Sequence, residues 1–486
     1  MNTHTGPQAP RTPRSRRWAY ALPLVSAMAL VGCAAQRPPV PAEVSAPAPA
    51  WLAPVLPHQG DAQALADWWA GWQDPTLVAW IAKAQSLSPT LADARAQVAQ
   101  ARAQRLAQET LTGPQVFAVG NASRAVQAGA PPGTGASNTL SVGLQASWAL
   151  DVWGDGRAAV SQATAQQAGA QAGWHAARVL VAAELAQTYF AWRTCHRWLQ
   201  TARDDLASRE ASALALDQGQ RAGLVAPATA ALAQASVAQG REALARQRQQ
   251  CDTQTKALVA VTGLPEAEVR AAEATLTEAR LPWPAVPAVP AAALRQRPDV
   301  WQAQFALAAA ADGVGIAQAQ LWPSLSLSAN WLRHDVRAST DFSTWSIGPL
   351  AVSVPLVGRD ALRARADAAQ VGFEAAQVAY EATLRRAVGE VEQALVAQAA
   401  LQERQRASAL AAGGLSQVLT ATEQRFKAGL ASLNELEDAR RQWLGAQSAL
   451  VGVRLEQLNT AVALYVALGG GFDPTQAQDL NRELPR

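Results

Sequence analysis

The chain has 486 residues, 49 % of them hydrophobic and only 16 % charged, with 41 basic and 38 acidic side chains. Its net charge of +3 comes from Arg11, Arg14, Arg16 and Arg17, which precede the first acid; the remainder is close to neutral, which excludes the basic surface that nucleic-acid binding demands. Five scattered histidines and three cysteines offer no pair at metal-ligand spacing.

In chain order, those arginines lead into an apolar run from Trp18 to Val31, too short to span a bilayer permanently. The run ends in Leu30-Val31-Gly32-Cys33, which resembles a bacterial lipobox. On that resemblance residues 1–32 are a signal peptide and Cys33 becomes the lipidated first residue. The alternative is a plain secretory signal with an incidental cysteine. Ala34 follows in place of the Asp that lipoproteins use for inner-membrane retention, which points to the outer membrane of a Gram-negative cell. Two or more acyl chains, at about 0.8 kcal/mol per buried methylene, hold such a chain stably. Residues 33–60 carry Pro38, Pro39, Pro41, Pro47, Pro49, Pro54 and Pro57 and read as an extended tether.

Helical pattern then runs from near Asp61 to Leu111, with breaks at Asp74-Pro75 and Ser88-Pro89. Beyond it the chain is duplicated. A shift of 206 positions places Arg221-Ala222-Gly223-Leu224 on Lys427-Ala428-Gly429-Leu430 and Gly263 on Gly469; upstream, a shift of 209 places Pro89 on Pro298 and Pro114 on Pro323. The repeats span 61–280 and 281–471, followed by a flexible tail at 472–486. The first has strands at about 115–124 and 139–152 and a helical hairpin at about 155–262 with its tip near Gly223. The second has strands at about 324–333 and 344–356 and a hairpin at about 361–468 with its tip near Gly429. An outgoing helix of this length is roughly 100 Å long. Leu384, Val388, Val391 and Leu395 give it a coiled-coil seam, each hairpin closing its own. Between the repeats, Pro282, Pro284, Pro287 and Pro290 exclude a helix and favour an extended belt.

The strands alternate. Leu140, Val142, Leu144, Ala146, Trp148, Leu150 and Val152 share one face, and Thr139, Ser141, Gly143, Gln145, Ser147 and Asp151 the other, with Ala149 the exception. The last strand slips phase near Pro349, which indicates a bulge. Such alternation suits a half-buried soluble sheet or a membrane barrel. Three features favour the barrel: strand length, flanking Trp148, Trp153, Trp322, Trp331, Phe342 and Trp345, and the lack of any helix left over to cover an apolar sheet. Four strands cannot close a barrel, so two or three chains must combine.

No catalytic constellation is present: there is no nucleophile elbow, and no glycine-rich phosphate loop follows a strand. The lipobox, Trp68-Trp69 with Asp74-Pro75-Thr76-Leu77, Ser147-Trp148-Ala149-Leu150-Asp151-Val152-Trp153-Gly154, Arg297-Pro298-Asp299-Val300, Pro323-Ser324-Leu325, Val354-Pro355-Leu356 and Ala467-Leu468-Gly469-Gly470-Gly471 together resemble the TolC-type outer-membrane factors. Within these they resemble the lipoprotein branch (NodT/OprM-like) serving resistance-nodulation-division efflux pumps. The resemblance implies a mainly α-helical protein with a membrane β-barrel. It implies a homotrimer, with a twelve-stranded barrel continuous with a twelve-helix periplasmic tunnel. It further implies docking at the tips (Arg221, Ala222, Gly223, Leu224, Lys427, Ala428, Gly429, Leu430) to a periplasmic adaptor and an inner-membrane pump, no cofactor, and passive export of small molecules. Rival readings are a lipid-anchored coiled-coil adaptor or spacer, and the duct of a type I protein secretion system.

Two finer expectations follow. Cys195 and Cys251 are equidistant from Gly223, so an antiparallel hairpin brings them face to face for a disulfide; two buried thiols are the alternative. At the second tip, Ser432 and Glu435 have capping-box spacing, and a carboxylate at Glu437 also suits a helix's first turn. By resemblance, Asp438 is the principal residue of a periplasmic gate. Asn434 stands where a hydrophobic residue usually narrows the aperture, and Arg440 or Arg441 is expected to pair across helices.

Overall fold

The computed structural model describes residues 37–41, 44, 47–48, 50–53, 65–125, 137–275, 280–287, 290–336 and 341–473. Cys33 with its lipobox, much of the tether and the chain from 474 onward lie outside the described residues. The chain divides into two compact units, one holding residues 105–163 and 309–373, the other 40–104, 164–308 and 374 onward.

Each half repeats one order of elements. A 3-10 turn (Trp68–Trp72) and α1 (Pro75–Leu87) precede α2 (Pro89–Leu111), β1 (Gln115–Ala125), β2 (Ser137–Leu150), α3 (Asp155–Arg221) and α4 (Pro227–Thr262). The short α5 (Glu266–Ala271) and α6 (Pro290–Arg295) follow. Then come α7 (Pro298–Ala319), β3 (Ser324–Val336), β4 (Phe342–Ser353), α8 (Arg359–Lys427) and α9 (Leu433–Ala467). Among the described residues no helix is long and apolar enough to cross a membrane.

The first unit is built on one antiparallel sheet in the order β1-β2-β3-β4. Its register aligns Ala118, Leu144, Trp331 and Trp345 in a row across the sheet, and Val116, Ala146, Ala329 and Ile347 in the next. These two rows are apolar from edge to edge, and further along the same face Arg333 and Ser343 enter beside Val142. The other face carries Ser141, Gln145, Ser147, Ser326, Ser328, Asn330, Thr344 and Ser346, with Phe117, Val119, Leu332 and Phe342 among them. Between Leu327 and Ala329 the register shifts, so that Gly348 and Pro349 together face Ser328. This bulge returns Leu350 and Val352 to the face of Trp345 and Ile347, which accounts for the phase slip in the sequence. β2 and β4 end earlier than the alternation suggests, at Leu150 and Ser353. Past the end of β2, Asp151 instead accepts from the backbone N–H groups of Gly156 and Arg157 at 3.2 and 3.0 Å and caps the start of α3; beyond β4, Pro355 has no N–H to pair. Trp153, expected in an interfacial girdle, is buried instead: it stacks on Trp322 at 5.3 Å and donates to the Pro323 carbonyl at 2.6 Å.

The second unit packs around an aromatic core. Trp68 stacks on Tyr465 at 4.6 Å, Trp72 lies tilted against Phe190 at 4.6 Å, and Trp80 lies 5.8 Å from Trp192. Asp74 caps α1 by accepting from the Leu77 N–H at 3.1 Å and pairs with Arg193. Arg297 is buried beside Asp299 and Glu390 and donates to the Ala467 carbonyl at 2.8 Å, fixing the end of α9. Where α9 stops, a Cβ on Gly469 would lie 1.8 Å from the Gln296 carbonyl oxygen, so only glycine fits. The tail begins later than 472: Phe472 is 4 % exposed and packs 5.0 Å from His175.

Two further expectations are corrected here. The tether is docked where it is described: the amides of Leu52 and Ala53 both donate to Glu392, at 2.6 and 2.7 Å, and Trp51 is buried and donates to the Pro287 carbonyl. Extended backbone has no internal hydrogen bonds and takes its partners from elsewhere. The inter-repeat belt includes α6, because Pro290 opens it at a position that needs no N–H.

Candidate functional site at the helical tips

α3 and α4 run antiparallel, as do α8 and α9, and the two turns that join them are built alike. Gly223 and Gly429 have φ of +76° and +72°, open to glycine without strain. The N–H of Leu224 donates to the Gly219 carbonyl and that of Leu430 to the Arg425 carbonyl, both at 2.8 Å, which ends each outgoing helix in the same way. Leu224 and Leu430 are 83 % and 71 % exposed, and Arg221, Ala222, Lys427 and Ala428 stand beside them in solvent. The returning helices start differently. Pro227 opens α4. Ser432 and Glu435 form a reciprocal capping box on α9, and these hydrogen bonds, chiefly from the Ser432 backbone, hold the Glu435 carboxyl below its usual range.

Back along the first hairpin, Cys195 and Cys251 are joined by a disulfide, their Cα atoms 5.4 Å apart, packed with Leu199 and Leu244. His196 lies beside them, but sulfurs bonded to each other have no thiolate to offer a metal.

The first turns of α9 have two faces. Asn434, Asp438 and Arg441 are exposed, spaced four and three apart, and Asp438 pairs with Arg441 of its own helix. Among the described residues of this one chain, Arg441 has no ion-pair partner on another helix. Glu437 and Arg440 face inward, and Arg440 is 1 % exposed. Around it Asp205 and Arg209 of α3 complete a square of alternating charge. Arg209 donates to Asp205 at 2.8 Å and to Glu437 at 3.0 Å, and Arg440 pairs with Glu437 and lies 3.7 Å from Asp205. Ser208 accepts from Arg440 at 2.7 Å and Ser236 from Arg209 at 2.6 Å. Below it Leu433 packs with Ala213, Leu216, Ala233 and Val237.

The hairpins therefore do not close separate seams, because α3 is bonded to α9. A square of four buried charges stays together only if every member remains partnered, and removing one costs about 3–5 kcal/mol. The exposed Asp438–Arg441 pair is worth about 0–1 kcal/mol. Asp205, Arg209, Ser208 and Ser236 are not singled out by sequence reasoning. A signal was available: at an offset of 206, Asp205 and Arg209 fall on Ala411 and Leu415, and Glu437 and Arg440 on Ala231 and Gln234. Charges that break a repeat in both copies mark where the copies meet.

The family model described as Outer membrane efflux protein matches residues 80–264 and again 289–470. The chain belongs to the outer membrane efflux protein family. It is a transport protein of the Gram-negative outer membrane and not an enzyme. This efflux protein is 28 % identical over 477 residues to the pyoverdine export outer membrane protein OpmQ of Pseudomonas putida, covering 93 % of this chain and 97 % of that one. Its fold matches the Campylobacter jejuni CmeC outer membrane channel with a TM-score of 0.82 at 21 % identity, covering 93 % and 98 % of the two chains. It matches the outer membrane protein VceC of Vibrio cholerae with a TM-score of 0.75 at 26 % identity, covering 84 % and 99 %.

Proposed function

We propose that three copies of this chain form the exit duct of a tripartite efflux system. The sheet carries the reading. Rows of apolar side chains cross it from β1 to β4, and among the described residues neither edge strand has a strand partner on its outer side. In lipid, each unpaired group costs several kcal/mol, so the edges must pair with other copies. Three sheets give twelve strands, enough to enclose a wet lumen lined by the serine-rich face.

On this reading Cys33 carries the lipid anchor, and the helices of three chains form the periplasmic tunnel. The exposed tips around Leu224 and Leu430 dock a periplasmic adaptor fed by an inner-membrane pump. Asp438, Asn434 and Arg441 of three chains line the aperture, where repelling carboxylates concentrate cations. The buried Asp205–Arg209–Glu437–Arg440 square holds α9 against α3 in the closed state, with Glu435 fixing the start of α9. The cargo is a small molecule, in keeping with the pyoverdine export named for OpmQ.

The test is the mass of the purified protein in mild detergent and its conductance in a planar bilayer. A trimer with ion conductance is expected. A water-soluble monomer after removal of residues 1–33, or a trimer that never conducts, refutes the duct.

A further inference from the structure

Further back from the tips, α3 and α9 part around a cavity of about 880 Å³, within the size range of small-molecule sites. Its lining is cationic. Arg193, Arg197 and Arg203 come from α3 and Arg454 from α9, against Glu273 as the only carboxylate. Arg193 is already paired with Asp74. Glu273 is shared between His196 at 3.5 Å and Arg270 at 4.0 Å. Burial, the largest cause, holds the His196 imidazole below its ordinary value. Among the described residues no carboxylate lies within 4.0 Å of the Arg197 or Arg203 guanidinium, although most arginines of the second unit have such a partner. Gln200 and Gln447 add amides from the two sides.

Nearer the tips, opposite charges and the apolar cluster around Leu433 bring α3 and α9 together. Here Arg197 and Arg203 of α3 line the cavity together with Arg454 of α9, which also donates to Gln457 Oε1 at 3.3 Å. Guanidinium groups converging from two sides suit oxygens that spread two or more negative charges over several acceptors. We infer that this cavity is a binding site for a small multivalent oxyanion, a polycarboxylate or phosphate, which clamps α3 to α9 by bridging Arg197 and Arg203 to Arg454. Such a ligand makes charge-assisted hydrogen bonds to both hairpins. The site is separate from the tip residues, and its existence does not depend on the duct reading.

The test is calorimetric titration of the full-length protein in detergent with citrate and, separately, inorganic phosphate, with glucose as an uncharged control. Binding of at least one of the two anions at one site per chain is expected, together with a higher melting temperature and no response to glucose. Arg197→Gln/Arg203→Gln, exposed on α3, should weaken binding about tenfold or more, and Arg454→Gln on α9 should do so independently. The melting temperature of each variant without anion separates lost binding from lost folding. If Arg454→Gln does not fold, Gln447→Ala supplies the α9 side. No binding of either anion by the wild type, or unchanged affinity in the α3 double variant, overturns the site. Loss of affinity on the α3 side alone overturns the clamp.

Discussion

Arg440 Nε and Asp205 Oδ1 face each other at 3.7 Å across the seam between α9 and α3, and among the described residues neither atom has a hydrogen-bond partner. The other three sides of their square are hydrogen-bonded ion pairs, so this is its slackest side. Two sides of the square cross the seam, this loose one and the tight Arg209–Glu437 pair at 3.0 Å; the other two lie within α3 and within α9.

Arg440→Ala should cost about 3–5 kcal/mol, since two buried carboxylates, Asp205 and Glu437, would be left with Arg209 as their one cation in the square. Thermal melting in detergent measures the loss, and bilayer recordings should show raised conductance because α9 is released. Arg440→Gln combined with Asp205→Asn removes both charges and should cost less than Arg440→Ala alone. Equal losses would show that the square is not electrostatically coupled.

Asp438→Ala should behave in the opposite way. Its carboxylate is 57 % exposed and paired only within its helix, so stability should change by no more than about 1 kcal/mol. On the proposed duct reading, the expected effect is reduced cation selectivity and altered conductance in single-channel recordings. If both match wild type, Asp438 is a solvated helix residue and the aperture lies elsewhere.

The Cys195–Cys251 disulfide links positions 56 residues apart. Cys195→Ser/Cys251→Ser should lose about 2–4 kcal/mol, nearer the lower figure because the packed hairpin already keeps these positions close. Labelling of denatured, unreduced protein should find no free thiol at either position, and two reactive thiols would refute the bridge.

His175 supplies a pH dependence. Burial, with Arg178 adding repulsion, holds its imidazole at about 4 against an ordinary 6.5. The folded state therefore resists a proton that the unfolded state accepts. Its contribution is intact above pH 6.5, falls as pH drops from 6.5 toward 4, and levels off below. The loss should be about 1–3 kcal/mol, and His175→Asn should flatten the melting profile over that interval. Because Phe472 packs on this ring, proteolysis near the C-terminal end should accelerate over the same range in the wild type only.

Local chemistry wrote the elements into the sequence. Strict alternation around Leu140–Leu150 fixed which side of β2 is apolar, Pro75, Pro89 and Pro227 fixed helix starts, and the offset of 206 aligned Gly223 with Gly429. The capping box at Ser432 and Glu435 and the antiparallel facing of Cys195 and Cys251 followed from spacing within single hairpins. What remained hidden involves residues far apart in the chain. Arg440 reads as one of two adjacent arginines, and nothing local says that it is buried against Asp205, 235 positions away, while Arg441 points outward. Helical periodicity identifies faces but not which helix each face meets, because every long helix here has more than one neighbour. The docking of Leu52 and Ala53 on Glu392 was hidden for a related reason: a backbone amide has no sequence signature. Sequence alone determined a duplicated strand-and-hairpin protein with a membrane-suited sheet. Only the tertiary structure decided that its two hairpins are joined by buried charge, since the pairing of those charges depends on helix rotation, which no repeat or motif records.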